Sequence, residues 1–121
     1  MSWEYFTDSE LSCPCCGEQK MSPEFMNKLV ALRDFLGFPF KISSAYRCER
    51  HNKDVGGKSG SAHLQGRAVD IVLYGDKAFK VVSEAANYGF TGIGVNQSGI
   101  HNKRFIHIDD LDENRPWIWS Y

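Results

Sequence analysis

Apolar residues recur at spacings of three and four along Phe25, Met26, Leu29, Leu32, Phe35 and Leu36, which predicts one face of an amphipathic helix. Ser22-Pro23-Glu24 opens it with a serine cap, a proline at the first helical position and an acid in the first turn, and Gly37 ends it. A second helix is predicted after Gly75-Asp76, with Ala78, Phe79, Val81, Val82, Ala85, Ala86 and Tyr88 as its apolar positions, ending near Gly89. Thr7-Asp-Ser-Glu10 has the form of a capping box and predicts a short helical turn near the N-terminus.

The remaining apolar stretches read as strands. Phe38 to Tyr46 is entered through Pro39, and Ala68-Val-Asp-Ile-Val-Leu73 is a nearly continuous apolar run. Phe90 to Val95 carries Gly92-Ile-Gly94-Val, without the spacing of a phosphate loop, so close backbone packing is the expected reason for its glycines. Arg104 to Asp109 alternates as the final strand, and Trp117-Ile-Trp119 is expected to pack the C-terminus onto the domain. Arg47 to Val55 is polar, a short helix or loop closed by Gly56-Gly57, and Lys58 to Ala62 is a flexible approach to His63. The order of helix, strand, helix and strands predicts an α+β domain around a small, mainly antiparallel sheet flanked by helices.

Within that pattern Asp70 is out of place, because an ionisable group in a buried strand costs several kcal/mol unless it is paired or bound to metal. His63 stands seven positions before it, and His107 lies in the final strand. Alternation puts Phe105, His107 and Asp109 on one face of that strand and Ile106 and Ile108 on the other, toward the core. Two imidazoles and one carboxylate are the ligand count of a catalytic zinc site, whose fourth position stays open. The plain alternative is that the histidines are ordinary residues and that Asp70 pairs with a neighbouring arginine such as Arg67.

At 121 residues the chain is read as one domain, 1–121, with 42% hydrophobic and 24% charged residues. A net charge of −1 gives no electrostatic case for nucleic acid or an anionic membrane surface. No apolar run approaches a membrane span, and the opening Met1-Ser-Trp-Glu-Tyr-Phe lacks the pattern of a signal peptide. A protein made in the cytoplasm and acting as a monomer is expected. The first twenty residues hold Cys13, Cys15 and Cys16, and Cys48 stands alone. Cys13 and Cys16 have C-x-x-C spacing, but a second such pair is lacking. Free thiols are the first reading, a disulfide from this cluster to Cys48 the second, and a small structural metal site the third.

Ser43-Ser-Ala-Tyr46-Arg47, Asn52, Val55-Gly-Gly57, Ser61-x-His63-x-x-Gly66-Arg67-Ala68-x-Asp70 and Phe105-Ile-His107-Ile-Asp109 together resemble the zinc D-Ala-D-Ala carboxypeptidase family. That group includes phage endolysins and shares its fold with the hedgehog signalling domain. The resemblance covers about residues 20–119. It implies a zinc peptidase acting on peptidoglycan stem peptides or cross-links, as a D,D- or L,D-type carboxypeptidase or endopeptidase. His63, Asp70 and His107 match the family's zinc ligands. Arg47 matches its arginine, aimed at the scissile carbonyl or the substrate carboxylate, while Ser61 and Gln65 lie beside the ligands as possible substrate or supporting groups.

The general base departs from the better-known members: Arg104 and Phe105 occupy the positions where they carry a glutamate or a histidine. Asp109, which shares the strand face of His107, is the favoured replacement, with orientation of a ligand as its alternative role, and His101 is the second. A phage lysis enzyme fits this reading, reaching the wall after release from the cytoplasm. Its rivals are a zinc-containing module that binds wall peptides or a protein partner without catalysis, and a virion-associated peptidase.

Overall fold

The computed structural model describes residues 3–121, so the first two residues of the stretch read for a leader lie outside it. Helix α1 (Asp8–Leu11) carries the expected capping box, with Thr7 accepting from the Glu10 N–H and the Glu10 carboxylate accepting from the Thr7 N–H. Helix α2 (Pro23–Leu36) runs from the Ser22 cap to Gly37, which adopts the left-handed conformation at φ 76°. The chain continues through β1 (Lys41–Ser44), α3 (Glu49–Asp54), β2 (Ala68–Val72), α4 (Gly75–Ala85), β3 (Gly92–Asn96), β4 (Phe105–Asp109) and β5 (Trp117–Ser120).

The fold is α+β, with one sheet in the order β1-β2-β4-β3-β5. All neighbours are antiparallel except β3 and β5. Val69 and Ile71 of β2 and Ile106 and Ile108 of β4 are fully buried in one core with Phe25, Met26, Leu29 and Leu32 of α2 and Val81 and Ala85 of α4. Burying each large apolar side chain contributes roughly 1.5–3 kcal/mol, which fixes the register. A slip of one residue would carry Asp70 and His107 into that core and turn the isoleucines out.

Three expectations needed correction. Phe35 and Phe79, counted on the apolar helix faces, are 60% and 73% exposed, because each sits at the outer margin of its stripe. Trp117 and Ile118 are also exposed, and β5 is held by backbone pairing to β3 instead of by burial of those side chains. Arg67 does not serve Asp70. It donates to both oxygens of the buried Asp110 at 2.8 Å each and to Ser22 Oγ at 3.0 Å, and Lys28 joins Asp110 at 3.0 Å. This cluster ties the start of α2 to the loop beyond β4.

Candidate metal centre

Asp70 and His107 face each other across the β2–β4 ladder. His107 Nδ1 lies 3.0 Å from Asp70 Oδ1, and His63 Nε2 lies 3.3 Å from the same oxygen. His63 is delivered by a single 3-10 turn (Ala62–Gln65) that Ser61 caps through its hydroxyl. Gly66 ends the turn at φ 67°, and a side chain there would strike the Lys20 carbonyl oxygen at 1.9 Å, so only glycine lets the chain turn from His63 into β2.

Each imidazole is oriented from its outer side. The Ala45 carbonyl accepts from His63 Nδ1 at 2.7 Å, which turns Nε2 toward Asp70. Asp109 Oδ2 sits 2.7 Å from His107 Nε2 and turns Nδ1 toward Asp70. Burial opposes ionisation of Asp70, but hydrogen bonds from His107 and His63 outweigh it and hold the carboxyl well below the ordinary carboxylate range. Burial likewise works against charge on His107, yet Asp109 and Asp70 raise its pKa above the ordinary value. For Asp109, burial is outweighed by His107 and Arg115, which bring the carboxyl down to about 2.

The expectation that Asp109 takes a proton from water fails on geometry. Its side chain is fully buried behind the His107 ring, and Arg115 donates to both of its oxygens at 2.9 Å. It is placed to orient His107. The second candidate, His101, lies on a short turn (His101–Lys103) before β4, exposed and stacked on Tyr74 at 4.1 Å, outside the His63, Asp70 and His107 cluster. Gln65 is the exposed last residue of the turn that carries His63, and Ser61 caps that turn.

Arg47 does join the cluster. Its Nη2 is 3.5 Å from Asp70 Oδ2, and its other nitrogens donate to Ser44 Oγ at 3.0 Å and Asn52 Oδ1 at 3.3 Å. Asn52, from α3, is itself buried and donates to the Lys58 carbonyl, so the guanidinium is fixed on two sides. Gly57 leaves room for this arrangement, since a Cβ there would sit 2.1 Å from Asn52 Oδ1.

The glycines of β3 now have a reason. A Cβ on Gly92 would fall 2.2 Å from Asp109 Oδ1 and 2.5 Å from Arg115 Nε, and one on Gly94 would fall 2.6 Å from Trp119 Nε1. The first makes room for the ion pair behind His107, and the second lets Trp119 of β5 approach the His107 ring, at 5.0 Å between centroids. Tyr121 and Phe105 extend the same aromatic surface, 5.0 Å apart. Gly92→Ala is expected to destabilise the protein by about 1–3 kcal/mol through overpacking, read as a lowered urea midpoint, with reduced metal affinity as the ion pair shifts. An unchanged midpoint and affinity would show that the pair does not need this space.

Sequence reading missed Arg115, Trp119 and Tyr121. No local pattern marks Arg115, but the alternation Trp117, Trp119, Tyr121 was a strand signal.

The donor set suits a divalent metal. His63, Asp70 and His107, all buried, offer ligand atoms within 4.8 Å of one another, two imidazole nitrogens and one carboxylate oxygen. Both rings have the outer hydrogen-bond partner typical of metal-bound histidine.

Comparison with known proteins agrees. The family model described as Peptidase M15 matches residues 4–109. Zinc D-Ala-D-Ala carboxypeptidase of Streptomyces albus G is 39% identical over 70 residues, or 56% of this chain; the match spans only 27% of that relative's length.

Proposed function

The chain belongs to the peptidase M15 family, and on that premise we propose that it is a zinc-dependent peptidase hydrolysing an amide bond in bacterial peptidoglycan stem peptides or cross-links. The observation that carries this reading is the meeting of His63 Nε2 and His107 Nδ1 on Asp70 Oδ1, each ring set by its own outer partner. His63, Asp70 and His107 would hold the ion. Zinc, when bound, would polarise the scissile carbonyl and activate water for attack near neutral pH.

The chain's own residues supply the rest. Arg47, anchored by Ser44 and Asn52, presents a fixed positive charge beside the centre, suited to the developing charge on the carbonyl oxygen or to a substrate carboxylate. Trp119, Tyr121 and Phe105 offer an apolar wall against which a peptide can lie. Asp109 holds His107 with Nδ1 toward the centre. The relative's name points to D-Ala-D-Ala ends as one substrate. A phage endolysin-type role, in which the protein acts on the wall after release from the cytoplasm, is part of the proposal.

A specific observation favours a second reading, a zinc-containing module that binds wall peptides without cleaving them. Both sequence candidates for a base are displaced, Asp109 behind His107 and His101 onto Tyr74. The test is release of free amines from purified peptidoglycan, with zinc quantified in the same sample. Hydrolysis is expected, stopped by a chelator and restored by zinc. Zinc retained without amine release would overturn the peptidase and support the module.

A further inference from the structure

A second group of ligating side chains lies apart from the peptidase centre, in the cysteines that the proposed reaction does not use. The Sγ atoms of Cys13, Cys16 and Cys48 lie within 4.8 Å of one another. Cys13 is buried, Cys48 half-buried and Cys16 exposed, so the group is anchored inside and open at one side. Residues 13–18 form a closed turn: the Gly17 N–H donates to the Cys13 carbonyl and the Cys13 N–H to the Glu18 carbonyl, both at 2.8 Å. Gly17, at φ 76°, allows the reversal immediately after Cys16.

Backbone donors gather on the sulfurs. The Cys48 N–H points at Cys13 Sγ at 3.5 Å, and the His51 N–H at Cys48 Sγ at 3.4 Å. A neutral thiol is a weak acceptor that needs no such set, whereas a metal-bound thiolate carries charge that these dipoles stabilise. Cys13 Sγ and Cys48 Sγ stand 3.6 Å apart. A disulfide requires about 2.05 Å. Two sulfurs about 2.3 Å from one tetrahedral centre stand about 3.8 Å apart.

We propose that Cys13, Cys16 and Cys48 form a structural thiolate site for zinc, with the fourth position open to the exposed Cys15 thiol or to water. Each ligating thiol gives its proton to solvent as the metal binds. The site clamps the N-terminal turn to the chain one residue beyond Arg47, where the Tyr46 N–H already donates to the Leu11 carbonyl at 3.4 Å. Metal there fixes the segment from which the Arg47 guanidinium reaches Asp70.

The test is cobalt titration of the full-length, reduced, metal-free protein, followed by zinc. Bound cobalt is expected to give the intense near-ultraviolet charge-transfer band of a cobalt–thiolate bond, which a site of histidine and aspartate cannot give, and zinc should abolish it. The band should survive in Asp70→Asn and be lost in Cys48→Ser. Because Cys48→Ser can fail by misfolding, wild-type protein is also alkylated with and without zinc: the metal should protect Cys13, Cys16 and Cys48, identified by peptide mass. Cobalt bound without the band, thiols modified equally in both conditions, or a Cys13–Cys48 disulfide in natively isolated protein would each overturn the site.

Discussion

Replacing Asp70 by asparagine is expected to abolish zinc retention at the peptidase centre and to reduce amide hydrolysis by on the order of 10³-fold or more. The change is nearly isosteric, so packing between β2 and β4 is preserved, but it deletes the charge on which His63 Nε2 and His107 Nδ1 converge. Several kcal/mol of transition-state stabilisation leave with the metal, and each 1.36 kcal/mol is a factor of ten in rate. Zinc content, amine release and far-ultraviolet circular dichroism should be measured on one preparation. Normal folding with zinc bound at wild-type affinity through both histidines would show that Asp70 is not a ligand.

The second large effect falls behind the metal. Asp109→Ala leaves Arg115 beside the core without its carboxylate and His107 Nε2 without its acceptor. Removing one partner of a buried ion pair costs about 3–5 kcal/mol. Losing a ligand's outer partner typically lowers metal affinity about 10–100-fold. The pH dependence of the metal-free protein carries the same signature. The Asp109 carboxyl is held at about 2, below its ordinary value near 3.9, so it contributes stability above about pH 4 that is lost as pH falls toward 2. That contribution amounts to about 2–3 kcal/mol. His107, raised above its ordinary value, acts with opposite sign: its contribution is complete below about pH 6.5 and fades as pH rises through the elevated value. Urea midpoints across this range should show the acid loss in wild type and a weaker one in Asp109→Ala. Equal acid slopes would place the titrating carboxyl elsewhere.

What the sequence disclosed depends on how local the cause was. Helix α2 was legible to the residue because its stripe, serine cap and terminal glycine act within one segment. That His107 faces away from the core followed from the alternation of β4, whereas its pairing with Asp70 rests on the β2–β4 ladder, which no local pattern announced. The choice between base and orienting role for Asp109 did not follow, since alternation says which face a side chain takes and not which side of a neighbouring ring it reaches. Arg115 settles that, from a loop with no periodic pattern. Arg67 was equally illegible: its partner Asp110 is 43 residues away and arrives through the sheet. The expected close packing at Gly92 and Gly94 was correct, although its object became visible only when Arg115 and Trp119 were placed.

The three groups of the centre do not stand on equally durable supports. Asp70 and His107 belong to β2 and β4, interior strands covered by β1 and β3. Freeing either requires opening the middle of the sheet, which in small domains demands nearly the whole unfolding free energy. His63 rides a one-turn helix that local fraying can release. Ion exchange should therefore run through a state in which His63 has swung away while the other two remain, and its rate should follow the lifetime of the Ser61 and Ala45 hydrogen bonds more than global stability.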